Sequence, residues 1–277
     1  MTRNDHPAAH GVNLYRSLTR PGPRRRLGLF AIEGIRQFVQ AVDCGWEFER
    51  LLVSNRLLIH PLARRLSRHL ARDGTTKHNL SPEQSRNISR LPRASGIAAI
   101  VRQRWTSLEA VATTPGLCWL AIDRFRSPGN LGTILRTAAA VGAAGVIVLD
   151  RDADPFDPQV VTTSMGGLFH LQFVRADVVE LRRQADLAGQ PIFALHPSDD
   201  VSLPVPSDGP PPVLLVGEER RGLTERALSL ADGRLSLPMP GWADSLNVGV
   251  ASGVAMYELL RRRSATRPSA PDAAGVR

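Results

Sequence analysis

The sequence predicts an α/β fold built around a parallel sheet. Short apolar runs bounded by Pro and Gly recur as "LCWLAI" (117–122), "GVIVLD" (145–150), "PIFALH" (191–196) and "PPVLLVG" (211–217). A helical pattern over 131–141 lies between the first two. Strands alternating with helices need crossover connections, which set neighbouring strands parallel. A smaller β/α alternation precedes them over residues 26–105. At 277 residues the chain has room for one large domain or two small ones, each with a real core.

Residues 1–25, ending in "RPGPRRR", read as a disordered basic tail. In "GIRQFVQAVDCG" the residues Ile35, Phe38, Val39 and Val42 fall at helical spacing, and Gly45 suits a helix end. "FERLLVS" reads as a strand. "HPLARRLSRHLARDG" is an amphipathic helix with Leu62, Ala63, Leu66 and Leu70 on one side and Arg64, Arg65, Arg68 and Arg72 around the rest. Ser81, Pro82 and Gln84 form a capping-box signature, and "GIAAIVRQ" is a strand. Residues 106–116 read as a linker, 117–263 as a second domain, and 264–277 as a disordered tail.

The net charge of +9 points to a polyanionic partner, nucleic acid before membrane. All but Lys77 of the 35 basic residues are arginine, whose planar fork suits phosphate. No apolar run is long enough to span a membrane, and the N-terminus lacks the apolar stretch of a secretory signal. Cys44 and Cys118 lie far apart without metal-ligand spacing and read as reduced, buried thiols of a cytoplasmic protein. His60, His69, His78, His170 and His196 show no ligand spacing either, so no metal is expected.

Chemistry concentrates in the second domain. In "DRFRSPGNLGTILRTAAAVGA" a strand ends, Pro-Gly turns, and Asn130 stands at a helix N-cap. Leu131, Ile134, Leu135 and Ala138 form the buried stripe, with Arg136 off it. Asn130 and Arg136 do not share a helical face, so a joint site needs Asn130 to act from the cap. In "LLVGEERRGLTERAL" a buried strand runs into Gly217, Glu219 and Gly222, where backbone can approach a ligand. The dinucleotide and P-loop glycine fingerprints are absent. In "LSLPMPGWADSLNVGVASGVAMYELL" Pro238, Pro240 and Gly241 force an irregular loop, and a helix runs from Leu246 with Val250, Val254 and Tyr257 on one stripe. Ser245, Gly249, Ser252 and Gly253 form a stripe of small residues. Each glycine inside a helix costs about 1 kcal/mol relative to Ala, so close approach by another helix or a ligand is expected there.

The order and spacing of these segments resemble the SpoU/TrmH-type branch of the SPOUT RNA methyltransferases. The matching positions are Asn130, Gly132 and Arg136; Gly217, Glu219 and Gly222; and "LPM" (237–239) with "SLNV" (245–248). The resemblance covers residues 117–263. The first domain resembles, through "FAIEGIRQFVQA" and "SGIAAIV", the substrate-binding domain often fused ahead of such enzymes. Two positions depart from the family pattern. Gly249 stands where relatives often carry serine, and Thr162 where they often carry an RNA-contacting arginine.

The resemblance implies a C-terminal SPOUT α/β-knot, a deep trefoil knot on a parallel sheet, behind a smaller N-terminal α/β RNA-binding domain. It implies a homodimer that methylates a ribose 2′-hydroxyl from S-adenosyl-L-methionine. The cofactor positions are Gly217, Leu237, Met239 and Leu246. Arg136 is the implied catalytic arginine, with Asn130, Glu219, Ser245 and Asn247 orienting it, the ribose and the loops. Guanidinium is too weak an acid to serve readily as a base, so Arg136 is read as an electrostatic clamp. The extra N-terminal domain and the charge favour 23S ribosomal RNA as substrate, with Arg64, Arg65 and Arg68 as RNA contacts. The same reaction on tRNA is the alternative, and a non-catalytic RNA-binding protein the alternative of another class.

Overall fold

The structure, a computed structural model, describes residues 7–150, 152–196 and 210–266. The chain forms two compact units: residues 1–105 with 127–139 and 154–171, and residues 106–126 with 140–153 and 172–277. This grouping cuts across the sequence-based boundaries, because two segments of the expected 117–263 domain group with the N-terminal residues.

The first unit opens with α1 (Pro7–Ser17) and α2 (Pro21–Leu27). The expected disordered tail is therefore corrected to helix over the described part; residues 1–6 lie outside it. Pro21 begins α2, where a missing N–H costs nothing. Gly28 ends that helix at φ 63°. Tyr15 and Leu18 are buried against Leu29, Leu52, Ile88 and Ile100. Burial pushes the Tyr15 hydroxyl far above its ordinary range, with Glu33 adding to it.

Then follow β1 (Leu29–Glu33), α3 (Ile35–Asp43), β2 (Phe48–Val53), α4 (Pro61–Arg72), β3 (Thr76–Asn79), α5 (Pro82–Ile88) and β4 (Ile97–Arg102). The sheet order is β1-β4-β2-β3, with β4 antiparallel to β1 and β2, and β2 parallel to β3. β4 is buried from Ile97 to Val101, which accounts for its unbroken apolar run. α5 carries the expected capping box: Gln84 N–H donates to Ser81 Oγ at 3.1 Å, and Ser81 N–H to Gln84 Oε1 at 2.9 Å.

An aromatic cluster explains why 154–171 joins this unit. Phe30 lies 5.7 Å from Trp46 and 4.8 Å from Phe156 between ring centres, and Trp46 lies 5.5 Å from Phe169. Beside it the Arg24 side chain, 1 % exposed, donates to Asp154 at 2.8 and 3.0 Å, to Asp157 at 3.0 Å and to the Leu18 carbonyl at 2.8 Å. This arginine, expected in a solvated basic tail, is a structural cross-link. Arg24→Ala leaves both carboxylates without their counter-ion. Breaking a buried pair costs about 3–5 kcal/mol, and the partial exposure of both aspartates lowers the expected loss to about 2 kcal/mol. Denaturant unfolding measures it; a variant within about 0.5 kcal/mol of wild type contradicts the assignment.

Three further elements group here: α7 (Pro128–Ala140), over residues 127–139, α8 (Pro158–Thr163), and the 3-10 turn Gly167–His170. A Cβ on Gly132 would lie 2.6 Å from Thr163 Cβ and 2.9 Å from the Val160 carbonyl, so glycine lets α7 and α8 touch.

The second unit begins at Thr106, whose N–H donates to the Phe173 carbonyl at 2.7 Å. The expected linker 106–116 is corrected: it contains α6 (Ala110–Thr113), and Val111 is fully buried in the core. A single apolar contact of this kind leaves little periodic signal. The remaining elements are β5 (Trp119–Ile122), β6 (Gly145–Val148), β7 (Gln172–Arg175), α9 (Val178–Ala188), β8 (Ile192–Leu195), β9 (Val213–Val216), α10 (Glu225–Leu228), β10 (Gly233–Leu235) and α11 (Val248–Thr266). The six strands order as β10-β8-β9-β5-β6-β7, and every pairing is parallel, as expected. α11 extends through Thr266, into the expected tail; residues 267–277 lie outside the described part.

Cys118 is buried, and burial pushes its thiol up to about 12. Cys44, expected buried, is only half-buried. Among the described residues no helix is long and apolar enough to cross a membrane.

Candidate functional site

β8, β9 and β10 are neighbours in the parallel sheet, so their carboxyl ends lie along one edge. That edge is where open α/β sheets place ligands. A cavity of about 280 Å³ opens there, walled by Leu195, Val216 and Leu235 from the strand ends. His196, Gly217 and Ser236, the residues that follow these strands, continue the lining.

The turn after β9 explains the G-x-E-x-x-G spacing. Glu218 and Gly222 exchange backbone hydrogen bonds at 3.2 and 2.8 Å, folding the chain back on itself. A Cβ on Gly217 would lie 2.4 Å from the backbone of Gly222 and Leu223. Gly222 takes φ 64°, a conformation side chains disfavour. One glycine makes room for the turn and the other makes its backbone angle. The buried Asp123, at the end of β5, accepts from Thr224 N–H at 2.7 Å and anchors the exit of the turn. Sequence reasoning missed this aspartate; its signal is a carboxylate directly after an apolar strand.

Leu237, Met239, Ser245 and Leu246, from the loop between β10 and α11, complete the lining with Glu219. All four expected cofactor positions thus meet in one cavity, together with Glu219 and Ser245. Asn247 joins the two loops. Its Nδ2 donates to Glu219 Oε1 at 2.7 Å, and its Oδ1 accepts from Gly249 N–H at 2.9 Å. Asn247 is therefore the N-cap of α11, and Leu246 belongs to the loop rather than to the helix expected to start with it. An Asx cap releases the residue before it from helical geometry. His196, set aside on sequence, lines the same cavity.

Asn130 and Arg136 lie on α7, in the other compact unit. Asn130 was expected at the N-cap. The helix instead begins at Pro128, and Asn130 N–H points to Ser127 Oγ at 3.4 Å, so Ser127 occupies the cap. A serine followed by proline outcompetes the asparagine, because proline is preorganised for the first helical position. Arg136 is exposed, and no ion pair among the described residues engages it. Thr162, at the position of the family arginine, donates to the Pro158 carbonyl at 2.8 Å and so serves its own helix.

Among the expected RNA contacts, Arg64 is exposed and also holds its own loop. Its side chain donates to the Leu58 carbonyl and, at 3.1 Å, to the Asn55 carbonyl, so it braces the loop before α4. Those acceptors sit in a loop whose fold the sequence does not reveal. Arg65 and Arg68 stay exposed and share a groove of about 570 Å³ with His69 and Arg72.

On α11 the small-residue stripe turns partly inward: Gly249 and Ser252 are buried and Gly253 is half-buried. The stripe of large apolar residues does not. Leu246, Val250, Val254 and Tyr257 are 39, 51, 46 and 57 % exposed, while Ala255, Met256 and Leu259 are buried. Among the described residues no group of three or more His, Cys, Asp or Glu side chains could hold a metal ion.

Comparison with known proteins agrees with this geometry. The 23S rRNA (uridine(2479)-2′-O)-methyltransferase of Streptomyces viridochromogenes is 33 % identical over 254 residues, 88 % of this chain and 86 % of that protein. A crystal structure of an AdoMet-bound rRNA methyltransferase from Sinorhizobium meliloti superposes with a TM-score of 0.81 at 29 % identity, covering 95 % of this chain and 97 % of that one. The SpoU methyltransferase AviRb from Streptomyces viridochromogenes, in complex with AdoMet, gives 0.78 at 30 % identity, covering 92 and 98 %. The family model described as "SpoU rRNA Methylase family" matches residues 118–257, which contain the turn, the loop and α7 alike. On its motifs, its sheet and these matches, the chain belongs to the SpoU rRNA methylase family.

Proposed function

We propose that this protein transfers a methyl group from S-adenosyl-L-methionine to a ribose 2′-hydroxyl of 23S ribosomal RNA. The observation that carries the reading is the cavity at the ends of β8, β9 and β10, where Gly217, Leu237, Met239 and Leu246 come together. Its volume is near the lower end of small-molecule sites, about 300–1,000 Å³, and its walls are largely apolar with a few polar groups. These residues fit the cofactor: Leu237, Met239 and Leu246 offer apolar contact, and the glycine turn offers backbone groups free of side chains.

When bound, the cofactor supplies a methyl group made electrophilic by a sulfonium sulfur. The chain's own residues do the rest. The Asn247–Glu219 hydrogen bond holds the turn and the loop together, which fixes the mouth of the cavity. Arg136 acts on the RNA. The positive guanidinium stabilises the alkoxide as the 2′-hydroxyl loses its proton, and its planar fork clamps the adjacent phosphate. That phosphate helps draw off the proton, which passes to water. Asn130 and Ser245 orient the ribose and the loops.

Arg65 and Arg68 contact RNA phosphates, and the N-terminal α/β residues form the RNA-binding domain. The exposed face of Val250, Val254 and Tyr257 supports a homodimer, since an apolar stripe on one helix is stable when a second copy covers it. The test incubates the purified protein with unmodified 23S RNA transcript and tritiated-methyl cofactor, then maps 2′-O-methyl groups. One methylated ribose is expected. Cofactor binding by calorimetry without any methyl transfer to 23S RNA overturns the proposed substrate.

A further inference from the structure

Two loops frame the cavity, and each carries on its outer side a group the reaction has not used. Between Met239 and Asp244, which line the cavity, stands Trp242, 97 % exposed. Between Glu219 and Gly222, which also line it, stand Arg220 and Arg221, both exposed. No ion pair among the described residues engages either arginine. Trp46 and Trp119, by contrast, are buried. Both loops are fixed where they matter, by the Asn247–Glu219 bond and by Pro238 and Pro240.

An indole held in water on one loop of the rim, and two exposed guanidinium groups without an ion pair among the described residues on the other, match one chemistry best. Unpaired RNA bases stack on aromatic faces, and arginines take the phosphates on either side. A second copy of this chain fits this rim less well, because a symmetric contact here would bring Arg220 and Arg221 of each copy against like charges.

We propose that Trp242 is a stacking platform for an unpaired RNA base next to the methylated ribose, with Arg220 and Arg221 holding the flanking phosphates. Trp242 is then a substrate-binding residue that selects a flipped or looped-out nucleotide over a paired one. The inference rests on the proposed RNA methylation and deepens it.

The test compares wild type, Trp242→Ala and Trp242→Phe on unmodified 23S RNA transcript. Trp242→Ala is expected to raise KM for RNA about tenfold, the loss of one base stack, with kcat within about twofold. Cofactor affinity by calorimetry stays unchanged. Trp242→Phe is expected to recover most of the KM, because a phenyl ring still stacks. RNA is expected to quench the exposed tryptophan emission of wild type, and Trp242→Phe loses that quenching while it still binds RNA. An unchanged KM in Trp242→Ala overturns the platform and leaves the methyltransferase reading standing. A shift of Trp242→Ala from dimer to monomer in sedimentation also overturns it, since the ring then belongs to a contact between copies. A wild-type protein that methylates no RNA overturns the reading on which the platform rests.

Discussion

Arg136→Ala protein is expected to bind the cofactor within a few-fold of wild type and to lose methyl transfer by about a thousandfold. The side chain is exposed on α7, and only atoms beyond Cβ are removed, so the fold has little to lose. Its backbone stays packed: a Cβ on Gly167 would lie 3.0 Å from Arg136 Cα. The residues around the cavity do not include Arg136. Binding and chemistry should therefore separate in this variant. Arg136→Lys is expected to remain severely impaired, because an ammonium group cannot span two oxygens as the planar fork does. Single-turnover methylation and calorimetry on the same preparations read the two effects. Loss of cofactor affinity in Arg136→Ala, with RNA binding intact, would move Arg136 from the RNA to the cofactor. Near-normal activity in Arg136→Lys would remove the clamp.

What the sequence reveals depends on how far apart the interacting residues are. Four of the six parallel strands were legible because each is an apolar run flanked by Pro or Gly, a local signal, whereas β7 (QFVR) and β10 (GRL) hold too few apolar residues to give one. The cavity was legible because Gly217, Glu219, Leu237, Met239 and Leu246 sit in two short motifs of fixed spacing. The misplaced helix starts have a shared cause. Ser127 and Asn130 are both good caps, as are Ser245 and Asn247, and a pattern of apolar positions does not choose between caps a turn apart. The structure chooses Ser127 through Pro128 and Asn247 through its bond to Glu219. Arg24 failed for a different reason. Its partners Asp154 and Asp157 lie about 130 residues away, so a buried cross-link looked like a basic tail. The bracing of the loop by Arg64 was hidden likewise, because its acceptors are backbone carbonyls that carry no residue signature. The periodic stripe of α11 was real, but periodicity reports that a face is apolar and not which neighbour covers it.

Gly217→Ala is expected to abolish useful cofactor binding while leaving the protein folded. The new Cβ would stand 2.4 Å from the carbonyl carbon and oxygen of Gly222 and from the nitrogen of Leu223. These are backbone atoms, which cannot rotate away as a side-chain end can. The turn must open, and opening it breaks the Glu218–Gly222 hydrogen bonds at 3.2 and 2.8 Å. Glu219 then shifts from Asn247, and the loop bearing Leu237 and Met239 loses its tie. Overpacking costs about 1–3 kcal/mol, and a backbone obstacle puts this case at the upper end. Where that strain falls on the bound conformation, affinity drops about a hundredfold. Gly222→Ala is the matched control. No atom lies within 4 Å of a Cβ there, so only the strain of φ 64° remains, and about a tenfold loss is expected. Calorimetry with the cofactor ranks the two, and far-UV circular dichroism verifies that the sheet persists. Wild-type affinity in Gly217→Ala, or a larger loss in Gly222→Ala, would show that the tight turn does not shape the cofactor cavity.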